Sequence, residues 1–254
     1  MAGGGAERIA RVLREEIPQL PANDPYRGIL EPVLHELELQ TQLSYLEFDA
    51  FPKTEDELKA EGERQVNRYF ELGLHKHPNI RKHTEFGSKG KFKDSLLRLV
   101  RLQPEQFARR FDIPVIPLGR IVPVKDLCNA AGVDYLLDGL EVKDWSDHPK
   151  GYQTPDLPYF TWMQDGAKNL DRKVEVVRKT FEVDERGATD FDGVPLHIFH
   201  PRIIEHHFMD HPGTSVGADS APFLNLWYGQ PRLYFNWVGN ADPEWGSASC
   251  GRQI

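Results

Sequence analysis

The sequence predicts an α+β fold in which a helical N-terminal region is followed by a mixed or antiparallel sheet with flanking helices. Three observations lead there. Helical spacing and capping signals dominate the first 110 residues. Proline-interrupted and aromatic-rich β-like runs follow them. The late strands then alternate irregularly with helices, which is not the rhythm of a βαβ series. With 254 residues, 39% of them hydrophobic and 28% charged, the chain is long enough to bury a sizeable core. The division read from these shifts is an N-terminal helical extension over residues 1–53, a helical region over 54–110 and an α+β main domain over 111–254.

From the start, Glu7 to Ile17 places Ile9, Val12, Leu13 and Ile17 at helical spacing, and Pro18 and Pro21 end the run. A turn at Asn23–Gly28 leads to a segment from Pro32 through Leu46 that mixes helical and alternating patterns. Thr54 and Glu57 then form a capping-box signature. Leu58, Val66, Tyr69, Phe70 and Leu72 supply an apolar stripe, and Gly73 is placed to stop the helix. Shorter helices are expected over 92–100 and 105–110, the latter opened by Pro104.

Beyond Arg110, Ile113-Pro114-Val115-Ile116-Pro117-Leu118 suggests edge or irregular strands, because proline cannot donate to a ladder. Val133 to Leu137 is a strand candidate, and 141–156 carries loop chemistry. Pro158 to Met163 is β-like, while Val174 to Val183 suits a strand or a short helix. Phe223–Tyr228 and Arg232–Val238, linked around Gly229-Gln230-Pro231, read as a hairpin.

Composition excludes several classes. No stretch approaches the roughly 20 apolar residues of a membrane span. The first residues lack the apolar core of a secretory signal. Two cysteines far apart, Cys128 and Cys250, make no disulfide framework, so a cytoplasmic setting is expected. A net charge of −8 argues against a dedicated nucleic-acid binder. Residues 81–110 nevertheless hold nine basic side chains against three acidic ones. That stretch reads as a solvated surface, and its functional alternative is a polyanion-binding patch.

The unusual chemistry lies in the last third. Five of the ten histidines fall at His197, His200, His206, His207 and His211. Pro201 and Pro212-Gly213 would bound a helix that carries His207 and His211 four apart on its apolar face, a separation at which two imidazoles can approach one metal. With His200 as third donor, this forms a candidate divalent transition-metal site. Without metal, His207 and His211 are candidates for acid–base chemistry if Asp192 or Asp210 orients them. The competing reading is structural: histidines at a core edge, hydrogen-bonded to backbone. Cys250 is a candidate nucleophile if a histidine lies beside it and an inert buried thiol otherwise. Trp227, Trp237, Asn240 and Trp245 are candidate ligand-binding residues, against a purely aromatic core.

Three further patterns carry less. Gly87-Ser88-Lys89-Gly90-Lys91 lacks the phosphate-loop spacing. Asp184–Asp192 is an acidic turn without a calcium-loop register. Asp144, Asp147 and Asp156 follow no spacing rule that makes them an acid–base pair.

The C-terminal residues Trp237-Val238-Gly239-Asn240 and Trp245-Gly246-Ser247-Ala248-Ser249-Cys250-Gly251 resemble a bacterial family known only as domain of unknown function 5701. Leu226-Trp227 and Pro231-Arg232-Leu233 are similar too, and the resemblance spans about residues 55–254. Members of that family carry a cysteine-bearing segment after the late helix, where this chain has Phe208 to Asp219 without a cysteine. The resemblance implies a shared fold and transfers no mechanism.

The expected function is therefore a small-ligand or protein-binding site in the C-terminal third. The rivals are a hydrolase-like enzyme built on the histidine cluster and a polyanion-binding accessory protein.

Overall fold

In the computed structural model the described residues are 13, 17–21, 24, 26–27, 29–34, 54–145 and 152–252. Most of the expected helix at 7–17, most of the segment from Pro32 to Leu46, and Asp147, Pro149 and Gly151 of the loop lie outside them. The chain divides into two compact units, Met1–Phe51 and Pro52–Ile254. In the first, Ile17–Gln19 form a 3-10 turn, Asp24 accepts a hydrogen bond from the Tyr26 amide at 2.8 Å, and Arg27 pairs with Glu31.

The second unit holds seven helices and eleven strands among the described residues. In chain order the helices are α1 (Glu55–Glu71), α2 (Pro78–Lys82), α3 (Lys89–Leu97), α4 (Val124–Ala131), α5 (Val174–Thr180), α6 (Asp190–Phe199) and α7 (Ile203–His206). The strands are β1 (Ile113–Val115), β2 (Asp134–Tyr135), β3 (Val142–Asp144), β4 (Thr161–Gln164), β5 (Glu185–Gly187), β6 (Phe208–Asp210), β7 (Thr214–Val216), β8 (Ser220–Trp227), β9 (Gln230–Trp237), β10 (Trp245–Ser247) and β11 (Ser249–Gly251). The α+β class holds: helices come first, and the sheets that follow are mixed, with β10–β6 and β2–β9 parallel and the other pairs antiparallel.

Helix α1 starts where the capping box lies. Thr54 Oγ1 accepts from the Glu57 amide, Glu57 accepts from the Thr54 amide, and Gly73 sits beyond the helix end at φ 73°. Its inward face includes a polar residue among the apolar ones. Buried Gln65 donates to the Pro114 carbonyl at 2.6 Å and accepts from the Ile116 amide at 3.0 Å, while Tyr69 donates to the Ile116 carbonyl at 2.7 Å. Those bonds tie the helix to β1, which Pro114 confines to the edge of the four-stranded sheet β1-β4-β11-β5. Helix α3 begins earlier than its apolar spacing suggests because Ser88 caps it, accepting from the Lys91 amide at 3.2 Å. The expected helix at 105–110 is only a 3-10 turn, Glu105–Phe107, and Arg109 leaves it at φ 64°.

The larger sheet runs β10-β6-β8-β7-β3, with β9 on β8 and β2 on β9. The hairpin is present, turning at Tyr228 and Gly229, whose φ values of 49° and 82° suit a tight two-residue turn. Strands β10 and β11 are separated by Ala248 alone, yet β10 pairs with β6 in the larger sheet and β11 with β4 and β5 in the smaller. Ala248 donates to the Asp210 carbonyl and accepts from the Ala188 amide, both at 3.0 Å. The C-terminal segment therefore stitches the two sheets together.

The histidine helix is a correction. Only Ile203–His206 is helical; His207 is extended, and Phe208–Asp210 is a strand pairing with β10 and β8. A short apolar run fits helix and strand alike, and here the two flanking strands decide. His207 and His211 do not share a helix face.

Candidate functional site

The site grows from the start of α6. The helix opens at Thr189, with Asp190 and Asp192 in the first turn, where the helix dipole favours carboxylates. Asp192 is fully buried and accepts from the Thr189 amide, the Thr189 hydroxyl and the Tyr159 hydroxyl, each at 2.8 Å. Arg186 grips it at both oxygens, at 2.6 and 2.8 Å, and lies 4.2 Å from the centre of the Tyr152 ring. Burial alone would raise the Asp192 carboxyl, but Arg186 and these hydrogen bonds hold it below the ordinary carboxylate range.

Asp190, two residues earlier, is built differently. Its amide donates to Thr214 Oγ1 at 3.1 Å, and its Oδ1 meets His211 Nδ1 at 2.7 Å. The Oδ2 atom is buried and has no hydrogen-bond partner among the described residues. Burial pushes the Asp190 carboxyl up; the His211 contact opposes this, and the Asp144 and Asp192 charges add to it.

His211 lies between β6 and β7 and is completely buried. Its ring edge packs on the backbone of α6 at Gly193, where a Cβ would stand 2.0 Å from Nε2. Among the described residues Nε2 has no hydrogen-bond partner, and it faces that backbone. The arrangement selects the tautomer with its hydrogen on Nδ1, donated to Asp190, because a buried lone pair costs less than a buried unpaired N–H. Sealed in this way, Nε2 does not reach a ligand; the ring positions Asp190.

Asp190 lines a cavity of about 290 Å³ between the starts of α6 and α4 and strands β2, β3 and β7, with Tyr135, Val142, Phe191 and Thr214 among its walls. A neighbouring cavity of about 840 Å³, walled by Trp145, Tyr152 and Thr154, shares Arg120, Lys143 and Asp144 with it. The shared wall is well braced. Asp144 accepts from Arg120 at 2.7 Å and from the Thr154 amide and hydroxyl at 2.7 and 2.8 Å. Arg120 also donates to the Thr154 carbonyl at 3.1 Å.

The residues singled out in the sequence fall elsewhere, and the metal expectation is overturned. Among the described residues no group of three or more His, Cys, Asp or Glu side chains could hold a metal ion. The three proposed ligands are dispersed and engaged. His200 Nε2 lies 3.4 Å from Arg64 and 4.0 Å from Glu61, beside α1. His207 Nε2 meets the Asp165 carbonyl at 2.9 Å, and His211 is held by Asp190. Asp190, not Asp192 or Asp210, orients His211.

Cys250 is fully buried in β11, and burial pushes its thiol up, away from nucleophile chemistry. His207, His211 and Cys250 line none of the cavities described above.

The aromatic candidates do not converge either. Trp227 and Trp237 sit seven register pairs apart on the hairpin, about 23 Å at strand rise, and their places in the register put them on opposite faces. Both are exposed, as is Asn240, which donates to Asn236 at 3.0 Å. Trp245 is half-buried and packs on Phe208 and Phe223 with ring centres 5.7 and 4.8 Å away. In the basic stretch, Arg110 pairs with Asp184, Glu182 and Glu185, Lys93 pairs with Glu63, and Lys89 lies over Phe70.

Sequence reasoning missed Asp190, Tyr135 and Thr214 as site residues. The one available signal was Thr189 followed three residues later by Asp192, a helix-start pattern inside what reads as an acidic turn. No family model, curated protein or solved structure matches the chain at a significant level.

Proposed function

We propose that this protein binds a small molecule in the cleft between the starts of α6 and α4 and strands β2, β3 and β7, with Asp190 as the anchoring group. One observation carries the reading. Asp190, a residue 2% exposed, lines a cavity, and its carboxylate has one oxygen fixed by His211 and the other buried without a partner among the described residues. Burying such an oxygen unpaired costs about 1–3 kcal/mol or more, which a ligand group would return on binding. The mixed walls also fit, with Val142, Phe191 and Tyr135 supplying apolar surface and Thr214 and Asp144 supplying polar atoms.

The test is a ligand-detected NMR screen of fragments of mixed charge against the protein and its Val124→Trp variant. Val124 is half-buried on the cavity wall, and an indole there fills the space. Hits that vanish in the folded variant support the reading. An absence of such hits, or hits indifferent to the indole, rejects it.

A further inference from the structure

We infer that the ligand of this cleft presents a protonated nitrogen, an amine or amidine carried on a small apolar body, to Asp190 Oδ2. The inference rests on the cleft reading above and specifies its chemistry.

The argument begins with what Oδ2 lacks. Among the described residues it has no donor as a carboxylate oxygen and no acceptor as the hydroxyl of an acid, so neither protonation state satisfies it there. What decides between a ligand donor and a ligand acceptor is the surrounding charge. The Asp144 and Asp192 carboxylates both add negative potential at Asp190. The cations nearby are committed. Arg186 is spent on Asp192 at both oxygens, Arg120 on Asp144 and the Thr154 carbonyl, and exposed Lys143 pairs with Glu141 at 3.0 Å. A positive group entering beside Oδ2 gains a charge-assisted hydrogen bond where screening is weak, whereas an anion there meets the unpaired Asp190 oxygen directly, with Arg120 already held by Asp144.

The walls set the rest of the ligand. The Tyr135 ring, Val142 and Phe191 line the same cavity, and its volume of about 290 Å³ suits a compact molecule at the small end of ligand pockets. An aromatic face beside a cation adds attraction of its own. His211 keeps Oδ1 occupied, so a monodentate ammonium contact on Oδ2 is the geometry offered.

Benzylamine, benzyl alcohol and benzoate share a ring and differ in the charge of the attached group. Binding of each is measured by chemical-shift titration of the full-length protein at pH 7.5, with Val124→Trp as the cavity control. The expected result is saturable binding of benzylamine with a Kd on the order of 1–10 mM, at least tenfold weaker binding of the alcohol, and no binding of benzoate. Asp190→Asn should weaken benzylamine at least tenfold.

Because that variant bears on a buried hydrogen bond and can fail to fold, wild-type protein supplies a second measurement. Benzylamine stays protonated between pH 4.5 and 7.5, so its affinity should fall with pH only as Asp190 takes up a proton, approaching about tenfold per unit below the titration point. Equal binding of amine and alcohol, or stronger binding of benzoate, overturns the inference. Binding of the alcohol or benzoate that Val124→Trp abolishes would at the same time leave the cleft reading standing. Silence from benzylamine overturns the cationic ligand, while the wider fragment screen decides the cleft itself.

Discussion

Replacing Asp192 with asparagine leaves the Arg186 guanidinium charged, buried and without its counter-ion. The side chains are 0% and 3% exposed and the ion pair is bidentate, so solvent cannot take over the lost partner. Breaking a pair of this kind costs about 3–5 kcal/mol. Asparagine keeps one carbonyl oxygen, which can still accept from Thr189 or Tyr159, and the expected loss is therefore about 3 kcal/mol. Against a total stability of roughly 5–15 kcal/mol this is a large fraction. At about 2–4 °C per kcal/mol for a chain of this size, Tm should drop by about 6–12 °C.

Urea unfolding followed by tryptophan fluorescence reads the loss directly, and a double-mutant cycle isolates its cause. Arg186→Met combined with Asp192→Asn removes both charges while keeping an acceptor for Thr189 or Tyr159, and should recover much of the stability that Asp192→Asn alone loses, because no lone buried charge remains. The pH dependence gives an independent reading. The Asp192 carboxyl titrates lower in the folded state than its unfolded value of about 3.9, so its contribution is fully present above that value. It disappears as pH falls through the folded value, and Asp192→Asn should lack that acid-sensitive component. A loss below about 1 kcal/mol, or a double variant no more stable than the single, would refute the idea that this charge pair holds the start of α6.

Other outcomes follow from the same structure. Gly193→Ala places a methyl where His211 Nε2 lies, so the ring must move; an overpacking cost of about 1–3 kcal/mol is expected in thermal denaturation, together with loss of binding in the Asp190 cleft. Burial pushes Asp210 up to about 8, opposed by Ser247 and Arg178, so the folded protein holds a proton there that the unfolded chain releases near pH 4. Stability should accordingly fall by up to about 1.4 kcal/mol per pH unit between pH 5 and 7 from this group, and urea unfolding of Asp210→Asn should lack that slope. Thr54→Ala removes the α1 cap and should cost about 1 kcal/mol in urea unfolding, with no change in ligand binding.

Where a local rule was decisive, the sequence was legible. The Thr54–Glu57 box marks the start of α1, Pro114 marks an edge strand, and Gly229 falls in the turn between two aromatic-rich strands, although the turn is Tyr228-Gly229 and Gln230-Pro231 already belong to β9. Legibility ended where pairing partners are distant. Residues 207–210 are apolar enough for a helix, and only strands β8 and β10 make them extended. The cleft lay beyond reach for the same reason. Tyr135, Val142, Asp144, Asp190 and Thr214 come from four segments with no spacing in common, and the partner that makes Asp190 informative, His211, is 21 residues away.

That His211 pairs with Asp190 rather than with a metal also explains why so much distinctive chemistry gathers near the C-terminus without forming a site there. Ala248 bridges two sheets by accepting from Ala188, which immediately precedes the α6 cap, and by donating to the Asp210 carbonyl, which immediately precedes His211. The neighbouring Gly187 and Gly213 approach so closely that a Cβ on either would stand within 2.6 Å of the other's backbone. The small and buried residues from Gly246 to Gly251 thus fix the backbone on both sides of the Asp190–His211 contact. Their contribution runs through placement: they hold α6 against the sheet at the separation that lets one imidazole close one carboxylate oxygen while the other, among the described residues, has no partner.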